Sequence, residues 1–68
     1  MSATRDEYEK SIAEVRNSFA ESVGRARYSG AVTVLTSRNK RAAAIVPMEF
    51  YERALKALGE TAVLKSDG

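Results

Sequence analysis

The chain has 68 residues, a net charge of +2, 44% hydrophobic and 29% charged residues, and neither cysteine nor histidine. A chain this short buries only about 60% of its unfolded surface and commonly needs a staple or a partner. Disulfides are excluded, zinc is nearly so because its sites lean on Cys and His, thiol nucleophiles and the commonest general base are missing, and self-association is the remedy left.

The opening Met1 to Glu7 lacks the apolar core of a signal peptide, and no apolar run approaches the ~20 residues of a membrane span. A cytosolic protein without membrane contact is expected. Tyr8, Ile12, Val15, Phe19 and Val23 then recur at helical spacing, and Thr4 with Glu7 fits a capping box, so one amphipathic helix from about Arg5 to Arg25 is favoured. A second reading breaks this stretch into a short strand near Lys10–Ile12 and a helix from Ala13. Helix is expected from Glu14 to Ala26, and residues 5–12 stay open between the two.

Ser29 and Gly30 mark a turn. Ala31 to Ser37 is rich in β-branched residues and reads as a strand, Arg38-Asn39-Lys40 as a polar turn, and Ala42 to Val46 as the return strand. Alanine favours helix in isolation, but Pro47 pushes Val46 towards extended geometry. Asn39 is the turn residue best able to take left-handed backbone. Both strands are apolar on both faces, which predicts helices on one side and another layer, such as a partner subunit, on the other. Pro47 or Met48 opens the next helix and Gly59 closes it, with Met48, Tyr51, Leu55 and Leu58 spaced by three and four and Ala54 beside them. Glu49 with Arg53 and Glu52 with Lys56 are i,i+4 pairs in the favourable order. Phe50 lies off the main stripe, either as a side wall of the core or as contact area for another chain. Glu60 to Gly68 is a short tail, so residues 1–68 read as one domain with its core over about 9–58.

Charge is unevenly distributed along these elements. Residues 1–24 hold three cations against five acids and residues 48–68 three against four, whereas residues 25–47 hold Arg25, Arg27, Arg38, Lys40 and Arg41 with no acid. An uncompensated basic block between acidic flanks is a candidate anion surface, and a homodimer doubles it. The plainer reading is that these cations only keep a small protein soluble. Catalysis has no support: there is no Gly-x-Ser-x-Gly elbow and no glycine-rich loop, and the carboxylates at 6, 7, 9, 14 and 21 read as solvent-facing charge. The chain is therefore expected not to be an enzyme and to use no cofactor or metal. For nucleic acid, Arg16 and Asn17 offer groups that read base edges, while Arg38, Lys40 and Arg41 suit phosphates. An ion pair of Arg16 with Glu9 or Glu14 is the competing assignment.

Glu14-Val15-Arg16-Asn17-Ser18-Phe19, Val23-Gly24-Arg25-Ala26, Val32 to Thr36, and Ala43-Ala44-Ile45-Val46-Pro47 followed by Met48-Glu49-Phe50-Tyr51 together carry a pattern over residues 9–58. It resembles that of the prevent-host-death (Phd)/YefM antitoxins, the DNA-binding antitoxins of type II toxin–antitoxin systems. The resemblance implies an α+β fold with an N-terminal helix, a central β-hairpin and a C-terminal helix, paired as a homodimer with a shared core. It also implies binding to a palindromic operator, neutralisation of a cognate toxin, and operator contact by Arg16. The chain departs from the pattern at the hairpin turn. Ser37 stands where the family has an arginine, with Arg38 next to it, Asn39 stands for the turn glycine and Arg41 for a proline. It departs again after the last helix, where the family continues with a longer toxin-binding segment. The expected function is a dimeric operator-binding repressor of the antitoxin type. Arg16 and Asn17 would contact bases or a groove, Arg38, Lys40 and Arg41 phosphates, and Arg25 and Arg27 lesser sites. The alternatives are a module that binds and inhibits a toxin with little DNA binding, a stand-alone regulator without a toxin, and a dimerisation scaffold without a ligand.

Overall fold

A computed structural model of the chain describes residues 4–66, so residues 1–3 and 67–68 of the expected domain lie outside the described residues. The order is β1 (Glu7–Ser11), α1 (Ile12–Val15), α2 (Phe19–Ser29), β2 (Val32–Ser37), β3 (Lys40–Ile45) and α3 (Met48–Leu58). The three strands form one sheet in the order β1-β2-β3, with β1 parallel to β2 and β3 antiparallel to it. The α+β class therefore stands, but the first element is a strand and the hairpin is part of a three-stranded sheet.

The single N-terminal helix is overturned, and the strand-then-helix alternative lies nearer the structure. Residues 7–11 are extended and pair with β2 from Glu7 opposite Val32 to Ser11 opposite Thr36. Of the supposed helical stripe, Val15 is buried while Ile12 and Phe19 are exposed. The capping box is also displaced. Glu7 begins β1, and it is Ser11 that caps α1: its hydroxyl accepts the Glu14 N–H at 3.1 Å, and the Glu14 carboxylate accepts the Ser11 N–H at 2.9 Å. Helix then fails at Arg16-Asn17-Ser18, where the Asn17 and Ser18 N–H groups bond back to the carbonyls of Glu14 and Val15 in tightened turns. Asn and Ser compete with helical hydrogen bonding, which suits them to this break.

Alternation along the strands places Tyr8, Thr33 and Ile45 on one face of the sheet and Glu9, Val34 and Ala44 on the other. Ser22 and Ala26 of α2 are buried together with Thr33 and Ala31. Val15 and Val34 are buried as well, Val34 on the opposite face of the sheet, and together these residues make a small core. The expectation that both hairpin strands are covered holds for the middle of β2 but fails for β3, whose residues from Lys40 to Ala44 are exposed. A register shift between Leu35 and Thr36 leaves Ala42 unpaired, because Ala43 opposes Leu35 while Arg41 opposes Thr36. This bulge returns Arg41 to the face that carries Glu7 and Glu9.

The hairpin turn has two residues, Arg38 and Asn39, at φ 54° and 65°, the signs a type I′ turn requires, and Lys40 already belongs to β3. The last helix has the expected bounds, with Gly59 closing it in the left-handed region at φ 69°. None of its residues is buried, though Ala54 and Leu55 are half-buried, and Arg5, just before β1, holds its guanidinium 5.0 Å from the Phe50 ring centroid. Residues 60–66 form no helix or strand, and no helix among the described residues is long and apolar enough to cross a membrane.

Candidate nucleic-acid interface

The parallel pairing of β1 with β2 brings distant basic residues to one end of the sheet. Ser11 lies opposite Thr36, and the Thr36 hydroxyl donates to the Lys10 carbonyl at 3.4 Å, so β1 ends beside the last residues of β2. From there the chain runs on into α1 and the Arg16-Asn17-Ser18 turn, while β2 runs on into the Arg38-Asn39 turn and Lys40. Arg16, Asn17, Arg38 and Lys40 thus leave the sheet at the same end, and all four are exposed. Arg16 stands just past α1 rather than on a helix. Among the described residues it makes no ion pair with Glu9 or Glu14, because both carboxylates are engaged elsewhere.

The acids near this end are held back. The Glu14 carboxyl sits below its ordinary value of 4.5, chiefly because the Ser11 backbone N–H donates to it, with the nearby charge of Lys10 adding to the effect. It is thereby kept as an anion folded against its own helix start. Glu7 and Glu9 both pair with Arg41, Glu9 at 3.5 Å from its Nε, across the face of β2. Arg41 is consequently less available than Arg38 or Lys40, which make no ion pair among the described residues. The start of α2 adds a further donor. The Ser18 hydroxyl is directed back to the Glu14 carbonyl and makes no cap bond, leaving the first N–H groups of the helix without a side-chain acceptor.

The remaining two candidates are placed elsewhere. The Arg25 side chain is only 23% exposed. Its guanidinium lies 4.4 Å from the Tyr8 ring centroid, with Glu21 4.0 Å away, so it ties α2 to β1. Arg27 is exposed in the last turn of α2, 5.1 Å from the Tyr28 ring, at the end of the helix that leads into the start of β2. Lys10 is a cation at the basic end that sequence reasoning passed over. Only the reading of residues 7–11 as a strand running towards the hairpin turn reveals it. No set of three or more potential metal-ligating side chains occurs among the described residues. No protein-family model, curated protein or solved structure matches the chain.

Proposed function

We propose that the chain is a DNA-binding repressor of the antitoxin type, acting as a homodimer on its own operator and neutralising a cognate toxin. It is a binding protein, not an enzyme. The observation that carries this reading is that β1, leading on to Arg16 and Asn17, ends beside the end of β2, which leads on to Arg38 and Lys40, while Glu7, Glu9 and Glu14 are occupied. Cations without internal partners are free to displace counterions from a duplex, which supplies affinity, and Arg16 with Asn17 can read base edges. In a two-fold pair the basic ends meet two half-sites, and occupation of the promoter blocks transcription sterically. Arg41 contributes less than its neighbours unless a phosphate displaces Glu7 or Glu9, and Arg25 serves packing.

The test is a gel shift on the promoter upstream of the gene, titrated with salt. Arg16→Ala should weaken operator binding and relax its sequence preference. Lys40→Ala should weaken all duplexes about equally and flatten the slope of log affinity against log salt by about one. Operator binding by both variants indistinguishable from wild type would overturn the assignment. The exposed tail favours a second reading, a toxin-binding module with little DNA affinity, since Leu64 is 97% exposed and Val63 is exposed beside it. Retention of the neighbouring gene product, with no gel shift at low salt, would select that reading.

A further inference from the structure

Phe19 is large, apolar and 57% exposed, and topology fixes its place in the fold. β1 and β2 are parallel neighbours, so the chain must return along the sheet before β2 can begin. α2 makes that return: its 11 residues span about 16 Å, matching the roughly 17 Å of the five-residue β1. The helix therefore begins at the end of the sheet where β1 and β2 finish, and it closes at Gly30, just before β2 starts. Its first residue, Phe19, comes directly after Arg16-Asn17-Ser18, and Ile12, which opens α1 ahead of that turn, is 44% exposed. The exposed side chains at the start of α2 are Phe19, Ala20 and Glu21, none of them a cation, so the readers of a duplex here are those of the turn itself.

Resting on the operator-binding reading, we propose that Phe19 is an apolar wedge. The Arg16-Asn17-Ser18 turn enters the minor groove, and the Phe19 ring inserts between two base pairs and kinks the duplex towards the major groove. The turn is tight, with the Asn17 and Ser18 N–H groups bonded back to Glu14 and Val15, and it suits a groove about 6 Å wide better than a helix does. Arginine and asparagine are side chains that read the minor groove, and proteins that bind there commonly pair them with an apolar side chain inserted at a base step. A phenyl ring standing in water beside those readers gains by moving into a base stack. Arg38 and Lys40, past the end of β2, hold backbone phosphates beside the kink. Pyrimidine–purine steps unstack most easily, so part of the operator's specificity lies at a step that no hydrogen bond reads. A two-fold pair carries two wedges and makes two kinks.

The full chain and the promoter duplex upstream of its gene supply the test. On circularly permuted promoter fragments, the mobility of the wild-type complex should depend on the position of the site, reporting a bend of roughly 20–90° at each wedge. 2-Aminopurine scanned through the site should brighten on binding at one step in each half. Phe19→Ala should lose most of the bend and the brightening and weaken operator binding about tenfold. Its slope of log affinity against log salt should match wild type, because no phosphate contact is lost. Phe19→Leu keeps an apolar wedge and should retain most of the bend. A wild-type complex whose duplex stays straight and stacked overturns the wedge whatever the variants do, and so does a Phe19→Ala complex bent like wild type. Operator binding without bending removes the wedge alone, whereas no shift of any duplex at low salt removes the repressor reading and the wedge together.

Discussion

Arg38 and Asn39 both occupy left-handed backbone at the hairpin tip. Asparagine tolerates it, whereas an ordinary L-residue pays about 1–2 kcal/mol, so Arg38 sits where local stability alone favours Asn or Gly. Strain of this kind fits a side chain retained for contact with a ligand. The double substitution Arg38→Asn with Asn39→Gly should raise Tm by about 5 °C and lower DNA affinity, read by a thermal melt and a gel shift on one preparation. A Tm gain with undiminished DNA binding would remove Arg38 from the interface. The reverse case is Thr33, 1% exposed, whose hydroxyl finds no hydrogen-bond partner among the described residues; the buried Ser22 hydroxyl is likewise unpaired. Thr33→Val keeps the shape and removes an orphaned polar atom, and should stabilise the fold by about 1 kcal/mol in urea denaturation without touching DNA binding. A loss of stability there would mean that the hydroxyl has a partner in solution.

The junction of β1 and α1 depends on a reciprocal pair of hydrogen bonds between Ser11 and Glu14. Ser11→Ala should cost about 1 kcal/mol of unfolding free energy. Glu14 supplies the pH dependence. Its folded-state pKa lies below the ordinary 4.5, so its contribution is complete above 4.5 and is lost as pH falls through the lower, folded value. Urea midpoints of wild type and Glu14→Gln should therefore differ at neutral pH and converge in acid. A gap of constant size across that range would mean that the carboxylate is not what the cap recognises. The bulge at Ala42 acts at the same scale. By turning Arg41 towards Glu7 and Glu9 it fastens β3 to β1 across β2, and it leaves Lys40 and Arg38 as the cations of the turn.

The molecule as a whole is loosely packed for its size. Its Cα radius of gyration is 13.4 Å, against about 11 Å for a compact chain of this length. Besides the partly exposed apolar face of α3, an open groove lined by Val32, Ala44, Val46 and Phe50, with Arg5, Asp6 and Glu7 beside them, runs between the sheet and the start of that helix. Two apolar surfaces on one short chain suit a protein whose stability is completed by association. Its Tm should accordingly rise with protein concentration, as mass action requires when the folded chain binds a copy of itself. Tm unchanged over a hundredfold range of concentration would argue for a self-sufficient protomer.

Local chemistry alone determined the hairpin and α3. β-branched residues, a polar turn with Asn39, Pro47 at the entry and Gly59 at the exit act within a few residues of where they stand, and the structure follows them closely. The signals for the break before α2 were present as well, in Ser11 with Glu14 and in Asn17-Ser18, but the helical spacing of Tyr8, Ile12, Val15 and Phe19 overrode them. Only the tertiary structure decided that residues 7–11 are a strand. Their partner, β2, begins about 20 residues further along the chain, and β1, exposed at the sheet edge, shows little of the alternation that a half-buried strand displays. The same long-range pairing sorted the cations. It set the end of β1, from which the chain leads to Arg16, beside the end of β2, which leads to Arg38 and Lys40, and gave Arg41 to two carboxylates and Arg25 to an aromatic ring, because which charges neutralise one another depends on distance in space rather than along the chain.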